Sequence, residues 1–389
     1  MKRTVSAILA LVLISILALG AGCSGGGAAK TIKIGLIAPM TGDVKTFGES
    51  TKEGFLLALD SIATKKGDKT VYKIGDFTIE YVIADDRNDP TESTNVATKL
   101  ATQDKVSAIV GSVASKASIA VSKVADANKV VQITPTSTNP DVTVEGGKRK
   151  TYIFRACFID PFQGTVGAKF ALNTLKAKKA AVLFDQGNAY TVGLSNFFKE
   201  AFEKGGGKIV AWKTYGEKDA DFSAILTDVA KANPDVVYLP DYYNKVSLIG
   251  KQARAKGITA PFLGGDGWDS SELDFKTMEG GYFTNHYSPD DKRAEVTSFI
   301  NAYKTKFNKK DAPDALAALA YDATKVLLNA IKTANSKDPT AIRNALAGTK
   351  AFQAVSGSIS IDKDGNPVKA AVILQIKDGK QKYVETVNP

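Results

Sequence analysis

Short runs of aliphatic and β-branched residues alternate along the chain with stretches whose apolar positions recur every three or four residues. KIGLIA at 33–38 has the continuous apolar character of a strand buried on both faces. Phe55, Leu59 and Ile62 then share one helical stripe. FTIEYVIA at 77–84 reads as the next strand, and Asp89, Pro90 and Glu92 follow as N-cap, first and third helical residues, the order of a capping box. VSAIVGS at 106–112, a helix running through Val124, and VVQITP at 130–135 continue the pattern.

A second series begins after Tyr152. AAVLF at 180–184 precedes a helix with Leu194, Phe197, Phe198, Ala201 and Phe202 on one stripe. KIVAW at 208–212, a helix with Ile225, Leu226 and Val229, VVYLP at 236–240, a helix around Val246 and Ile249, and PFLGG at 261–265 complete it. Repeated β-α alternation predicts parallel sheets covered by helices on both faces. Because the alternation runs twice around an irregular stretch at 136–152, the expected fold class is α/β, with two doubly wound parallel-sheet lobes rather than one closed barrel.

The order changes toward the end. Residues 315–332 and 341–348 read as helices, and SGSISID (356–362) and AAVILQIKDG (370–379) flank KDGNP as a predicted hairpin. This tail is too short for a third core, so it is expected to be shared between the lobes. Expected boundaries are 32–153 with about 285–353 for the first lobe, and 154–284 with about 354–389 for the second. A chain that crosses repeatedly makes a multi-strand hinge with a cleft beside it, a preferred small-molecule site.

Composition narrows the class. The 389 residues are 44% hydrophobic and 24% charged, which excludes disorder and leaves ample material for two cores. Lys2 and Arg3 precede an apolar run over 5–19 and the small residues Gly20, Ala21 and Gly22, the form of a secretory signal expected over 1–22. These small residues before Cys23 resemble a lipobox, with Gly20 where an aliphatic residue is usual. Acylation of Cys23 would make SGGGAA part of a flexible tether over 23–31, whereas cleavage near Ala21 would leave Cys23 merely nearby. Cys157 is then unpartnered, and its apolar neighbours suit a buried, inert thiol.

The formal charge of +10 raises nucleic acid as a partner, but the lysines are spread over predicted surface helices and the densest group, Lys148, Arg149 and Lys150, sits in a loop. No nucleic-acid binding is expected. An enzyme reading finds no catalytic set: adjacent Asp85 and Asp86 suit a strand end and helix cap. The run from Asp362 has Ile373 where a calcium loop needs a glutamate, and the single histidine, His286, lacks neighbouring metal ligands. No metal or cofactor is expected.

The candidate chemistry lies where strands lead into helices, the ligand-binding edge of open α/β sheets. GSVASKAS (111–118) and TPTSTNP (134–140) offer hydroxyls and free amides to a single carboxylate. GGDGWDSS (264–271), in the other lobe, offers Asp266 to a cation beside an indole. Either feature alone also suits ordinary helix caps or turns. Together they would bridge a zwitterion such as an α-amino acid.

At this point several ordered segments, IKIGLIAPMTGDVKTFGES, ADDRNDPTESTNVATKL, VSAIVGSVASKAS, ITPTSTNP and FRACFIDPFQG, resemble the leucine/isoleucine/valine-type extracellular solute-binding proteins of ABC transporters, with the type I periplasmic-binding-protein fold. The resemblance covers about 32 to about 376. It implies a non-enzymatic monomer that binds an amino acid, branched-chain or otherwise apolar, and hands it to an ABC permease, held at the outer face of the cytoplasmic membrane or in the periplasm by a lipid anchor. The same fold also serves sensors, so a binding protein for amides, aromatic acids or another small polar molecule that reports to a separate receptor is the alternative. The chain's end at Pro389 without a spanning helix favours the feeder.

Carried over, the resemblance puts the ligand carboxylate on Ser115 and Thr138, with Val113, Ala114, Thr136 and Ser137 lining the same wall and Phe47 over the ligand. Tyr190 and Tyr242 would close from the second lobe. Asp266, with Gly267, would take the ammonium where relatives commonly carry Glu. Trp268 departs from the relatives and would reshape the pocket if it faced the cleft. Leu316 falls where alignment is too loose to assign it to the site.

Overall fold

The computed structural model describes residues 30–389; the predicted signal segment and Cys23 lie outside them. The first lobe is built from β1 (Lys30–Ala38), α1 (Lys45–Asp60), β2 (Ala63–Lys66), β3 (Lys69–Ile74), β4 (Phe77–Asp85), α2 (Pro90–Thr102), β5 (Ala108–Val110), α3 (Ser115–Ala127), β6 (Val131–Thr134) and β7 (Ile153–Arg155). Its sheet order is β2-β3-β4-β1-β5-β6-β7, parallel from β4 onward, with β2 and β3 added as an antiparallel edge hairpin. Strand β1 is central and buried through Leu36, Ile37 and Ala38, which is why its sequence is continuously apolar. Asp89 caps α2 as expected, accepting from the amides of Thr91 and Glu92.

The second lobe follows with α4 (Asp160–Asn173), β8 (Lys179–Asp185), α5 (Ala189–Lys204), β9 (Lys208–Tyr215), α6 (Ser223–Ala232), β10 (Val236–Tyr238), α7 (Tyr243–Ala255), β11 (Phe262–Gly264) and β12 (Tyr282–Asn285). After β12 the chain returns to the first lobe as α8 (Ala294–Phe307), α9 (Ala315–Ala334) and α10 (Pro339–Ala347), then closes the second sheet with β13 (Ala371–Lys377) and β14 (Lys380–Val387). That sheet runs β9-β8-β10-β11-β12-β13-β14, with β13 and β14 antiparallel to their neighbours.

Two sequence expectations need correction. KDGNP does not join a long hairpin: Gly357–Ile359 pairs with Phe352–Ala354, β13 pairs with β12 and β14, and only an isolated bridge, Ile361 to Pro367, spans the turn. The two apolar runs belong to different cores, Ile359 and Ile361 to the first and Ile373, Leu374 and Ile376 to the second. Ile62 also lies beyond the end of α1, although it still packs against the first core.

Buried polar side chains tie down the crossings. Arg155, fully buried, donates to the carbonyls of Ser137 at 2.6 Å and Asn139 at 2.9 Å. Lys369 donates to the carbonyl of Ala156 at 3.0 Å and to Ser356, while Asp322 accepts from the amides of Val355 at 2.9 Å and Ser356 at 2.8 Å. Much of the basic run at 148–150 is structural in the same way: Lys150 is buried against Glu145 and Ser122, and Arg149 reaches the carbonyl of Ile153. Cys157 is buried and free, its thiol pushed up to about 12 by loss of water, as an inert cysteine should be.

Candidate functional site

The two sheets face each other across a cleft whose walls are the carboxyl ends of the strands and the helix starts that follow them. From the first lobe, Phe47 stands in the opening turn of α1, Val113 and Ala114 in the loop after β5, Ser115 at the start of α3, and Thr136 after β6. From the second, Tyr190 comes from the first turn of α5, Tyr242 from the start of α7, and Asp266 and Gly267 from a single 3-10 turn (Asp266–Trp268) after β11. These nine side chains or backbones surround a cavity of about 30 Å³, and Leu316 of α9 completes its wall. Leu316 had only loose alignment to recommend it.

The lobes stand closed. Phe47 meets the ring of Tyr242 edge-on at 5.6 Å and that of Tyr243 at 5.2 Å. Thr46 and Ser270 exchange a hydrogen bond at 3.0 Å, Asn139 donates to the carbonyl of Ala189 at 2.8 Å, and Lys116 pairs with Glu217 at 2.7 Å. Hence Phe47, Val113, Ala114 and Leu316 are continuous with the second lobe's apolar core.

On the first-lobe wall, no side chain among the described residues caps α3, whose N-cap is Ala114. Its opening amides and the positive end of its dipole therefore face the cleft without an internal acceptor. The Ser115 hydroxyl accepts a long bond from the Asn139 amide, 3.4 Å, and keeps its proton to donate. Thr136 lines the cavity but its hydroxyl donates to the carbonyl of Val113 at 2.8 Å. Ser137 is spent internally on Val113 and Ser118, and Thr138 is buried behind the wall beside Asp160; neither lines the cavity.

On the opposite wall Asp266 is held by three side chains. Gln163 Nε2 and the Tyr190 hydroxyl each donate to its Oδ1 at 2.9 Å, and His286 Nε2 lies 3.0 Å from its Oδ2. Gln163 and His286 were not expected at the site; they come from α4 and from the crossing after β12, and no local spacing connects them with Asp266. Tyr190 stacks on Tyr242 at 5.4 Å with nearly parallel rings. The turn requires glycine at 267, where a Cβ would stand 2.8 Å from the Asp241 carbonyl and 3.2 Å from the Tyr190 ring. Asp160 is fully buried nearby, and burial followed by repulsion from Asp266 pushes its carboxyl up to about 8 against the Thr138 hydroxyl and Arg155.

Trp268, like Ser137 and Thr138, is an expected site residue that does not line the cavity. Its indole points into the second lobe, donates from Nε1 to the carbonyl of Leu239 at 2.9 Å and lies on Phe283, so it forms no wall of the cavity. Gly264 permits this packing, since a Cβ there would stand 2.1 Å from the indole.

The Asp85 and Asp86 pair is also structural. Asp85 receives the amides of Met40 and Arg87 at 2.9 Å, and Asp86 is buried against Ser93 and Ser112. Among the described residues no cluster of three or more His, Cys, Asp or Glu could hold a metal, and no helix is long and apolar enough to cross a membrane.

The profile of the family described as Periplasmic binding protein matches residues 31–381. The chain is 33% identical to the Leu/Ile/Val-binding protein homolog 3 of Brucella melitensis, over 86% of this chain and 88% of that one. It is similar to the crystal structure of a leucine binding protein from Thermotoga maritima, with a TM-score of 0.85 and 39% identity over 92% of this chain and 99% of the other. A branched-chain amino acid transporter substrate binding protein from Streptococcus pneumoniae, solved in complex with isoleucine, matches with a TM-score of 0.83 and 34% identity over 92% and 100%.

Proposed function

The chain belongs to the periplasmic binding protein family, with the type I fold, and from that premise we propose that it captures a branched-chain or other apolar amino acid and delivers it to an ABC importer by closing its lobes. As a member it is a solute-binding protein that works outside the cytoplasm and not an enzyme. The observation that carries the reading is the opposition of charges across the cleft: the uncapped start of α3 with Ser115 in one lobe, Asp266 in the other. A carboxylate suits the first and an ammonium the second, and only a ligand carrying both joins them. Phe47, Tyr242 and Leu316 offer apolar surface for its side chain. Relatives named for leucine, isoleucine and valine support that choice of side chain.

In this reading the ligand carboxylate takes the amides of α3 and the Ser115 hydroxyl, with the Val113, Ala114 and Thr136 backbone beside it. The ammonium rests on Asp266. Because Asp is a methylene shorter than Glu, the amine must approach deeply, and Gln163, Tyr190 and His286 fix the carboxylate that it meets. The first lobe is assigned 32–153 and about 285–361, where its core ends, and the second the remainder. Acylation of Cys23 would tether a monomer beside its permease, and Cys23→Ser should then release exported protein from the membrane.

A thermal-shift panel of the twenty amino acids, small amides and benzoates tests the ligand class. A ligand at a hundredfold excess over its Kd stabilises by about 2.7 kcal/mol. Leucine, isoleucine or valine should therefore raise the midpoint by several degrees, and a shift with benzoates or amides alone would sink the proposal in favour of a sensor or aromatic-acid carrier.

A further inference from the structure

His286 is the only histidine in the sequence, and its ring lies directly behind Asp266. The side chain is 1% exposed and stacks on Phe158 with ring centroids 3.7 Å apart. Its Nε2 is 3.0 Å from Asp266 Oδ2, while Nδ1 has no hydrogen-bond partner among the described residues. An ionised carboxylate can only accept, so a neutral ring in this place carries its proton on Nε2.

The oxygens of Asp266 are not equivalent. Oδ1 already accepts from Gln163 and Tyr190, which occupy its two lone pairs, whereas among the described residues Oδ2 accepts only from His286. A ligand ammonium therefore has its open lone pair on the very oxygen that His286 holds.

We propose that His286 is a positioning residue of the ammonium site: as a neutral Nε2–H donor it aims Asp266 Oδ2 at the ligand, and on protonation it takes that carboxylate as its own counter-ion, so amino-acid affinity falls as the pH drops. This rests on the reading of the cleft proposed above. The groups that face the ring set the balance. Burial holds its titration below the ordinary histidine value, Asp266 and Asp269 on the turn work against that, and Lys369 on the returning segment reinforces it. Asp160 on α4 faces Asp266, whose charge helps to raise its titration. On the outer side His286 lines a second cavity of about 510 Å³ together with Asp290, Asp291 and Arg293. A bound ammonium beside Oδ2 repels an imidazolium, so ligand lowers the histidine titration further. By reciprocity protonation weakens ligand binding, up to about tenfold for each unit of separation between the free and bound midpoints.

A single histidine makes the test direct. Ring-labelled protein, followed by NMR from about pH 8 to about pH 5, should show the Nε2–H tautomer when neutral, a midpoint below the ordinary value, and a further fall when leucine is added as probe. Asp266→Asn should lower the midpoint in free protein by removing the stabilising charge. Calorimetry with leucine over the same interval should show Kd rising toward acid in the native protein and a flatter profile in His286→Gln, which keeps a donor but cannot titrate. An Nδ1–H tautomer, a midpoint indifferent to Asp266→Asn, or equal slopes in the native and Gln proteins would overturn the proposal. If leucine and every other amino acid fail to bind, the reading of the cleft falls. The tautomer and the Asp266→Asn shift still decide the pairing, and should the Gln variant not fold, the leucine-induced shift in native protein decides the linkage.

Discussion

Asp266 and Trp268 stand two residues apart on one turn and do opposite work. On the proposed reading, removing the Asp266 carboxylate would leave a desolvated ammonium without its partner, a cost of about 2–5 kcal/mol in binding. Asp266→Ala should lose measurable amino-acid affinity by calorimetry while its circular dichroism stays that of a folded chain. Trp268 instead fills the second core and satisfies a backbone carbonyl. Trp268→Ala should lower stability by about 3–5 kcal/mol in denaturant titrations and leave the order of preferred amino acids unchanged. The sequence made Asp266 legible because it sits in a conspicuous glycine-flanked turn after a strand. Which way Trp268 faces in the same turn is not legible, because sequence order does not say to which side of a 3-10 turn a ring will point. Gln163 and His286 were unreadable for a different reason: their meaning is a hydrogen bond to a residue 103 and 20 positions away, respectively.

At the scale of the element, periodicity carried most of the fold. Strands buried on both faces and helices with one apolar stripe announce themselves locally, so both series of β-α units, and the loops that form the cleft, are legible in the sequence. The tail could not. An apolar run, a turn and a second apolar run read as a hairpin whether or not both runs serve the same core, and here the cores differ. Helices α2 and α3 show how one local rule serves two ends. Asp89 closes the start of α2 from within, so Asp89→Ala should cost about 1 kcal/mol of stability with no change in Kd. The start of α3 is left open, and Ser115→Ala should do the reverse, weakening leucine binding by about 1.5–3 kcal/mol, the range for a hydrogen bond to a charged group, with little change in the unliganded melting midpoint. Paired calorimetric and thermal measurements on the two variants separate cap from ligand site.

The whole molecule has more proton affinity folded than unfolded around neutrality. Burial raises Asp160 to about 8 and, in the second and first lobes respectively, Asp241 and Asp314 to about 7 each, so the native state holds protons there that an unfolded carboxylate has released. His286 and Lys369, the latter lowered to about 8, are shifted down by burial and act in the opposite sense, the lysine only at the alkaline end of the interval. Stability should fall as pH rises from about 5 to about 8, by about 1.4 kcal/mol per unit for each group carrying its extra proton, read as a lower melting midpoint at the alkaline end; Asp160→Asn should flatten the slope. Closure itself depends on contacts that exist only when the lobes meet. Lys116 with Glu217 at 2.7 Å and Lys45 with Glu272 at 3.8 Å join them electrostatically at the cleft rim. Glu217 is largely exposed and belongs to no wall of the cavity. Reversing its charge in Glu217→Lys sets two cations against each other only in the closed form, a penalty on the scale of an exposed pair, about 0.2–1 kcal/mol. Kd should rise severalfold at most, through faster release, with the effect fading as salt screens the pair. Small-angle scattering should show the unliganded variant shifted toward an open, longer particle. An affinity unchanged at low salt would mean that the aromatic contact of Phe47 with Tyr242 and Tyr243 holds the lobes together without help from the charged rim.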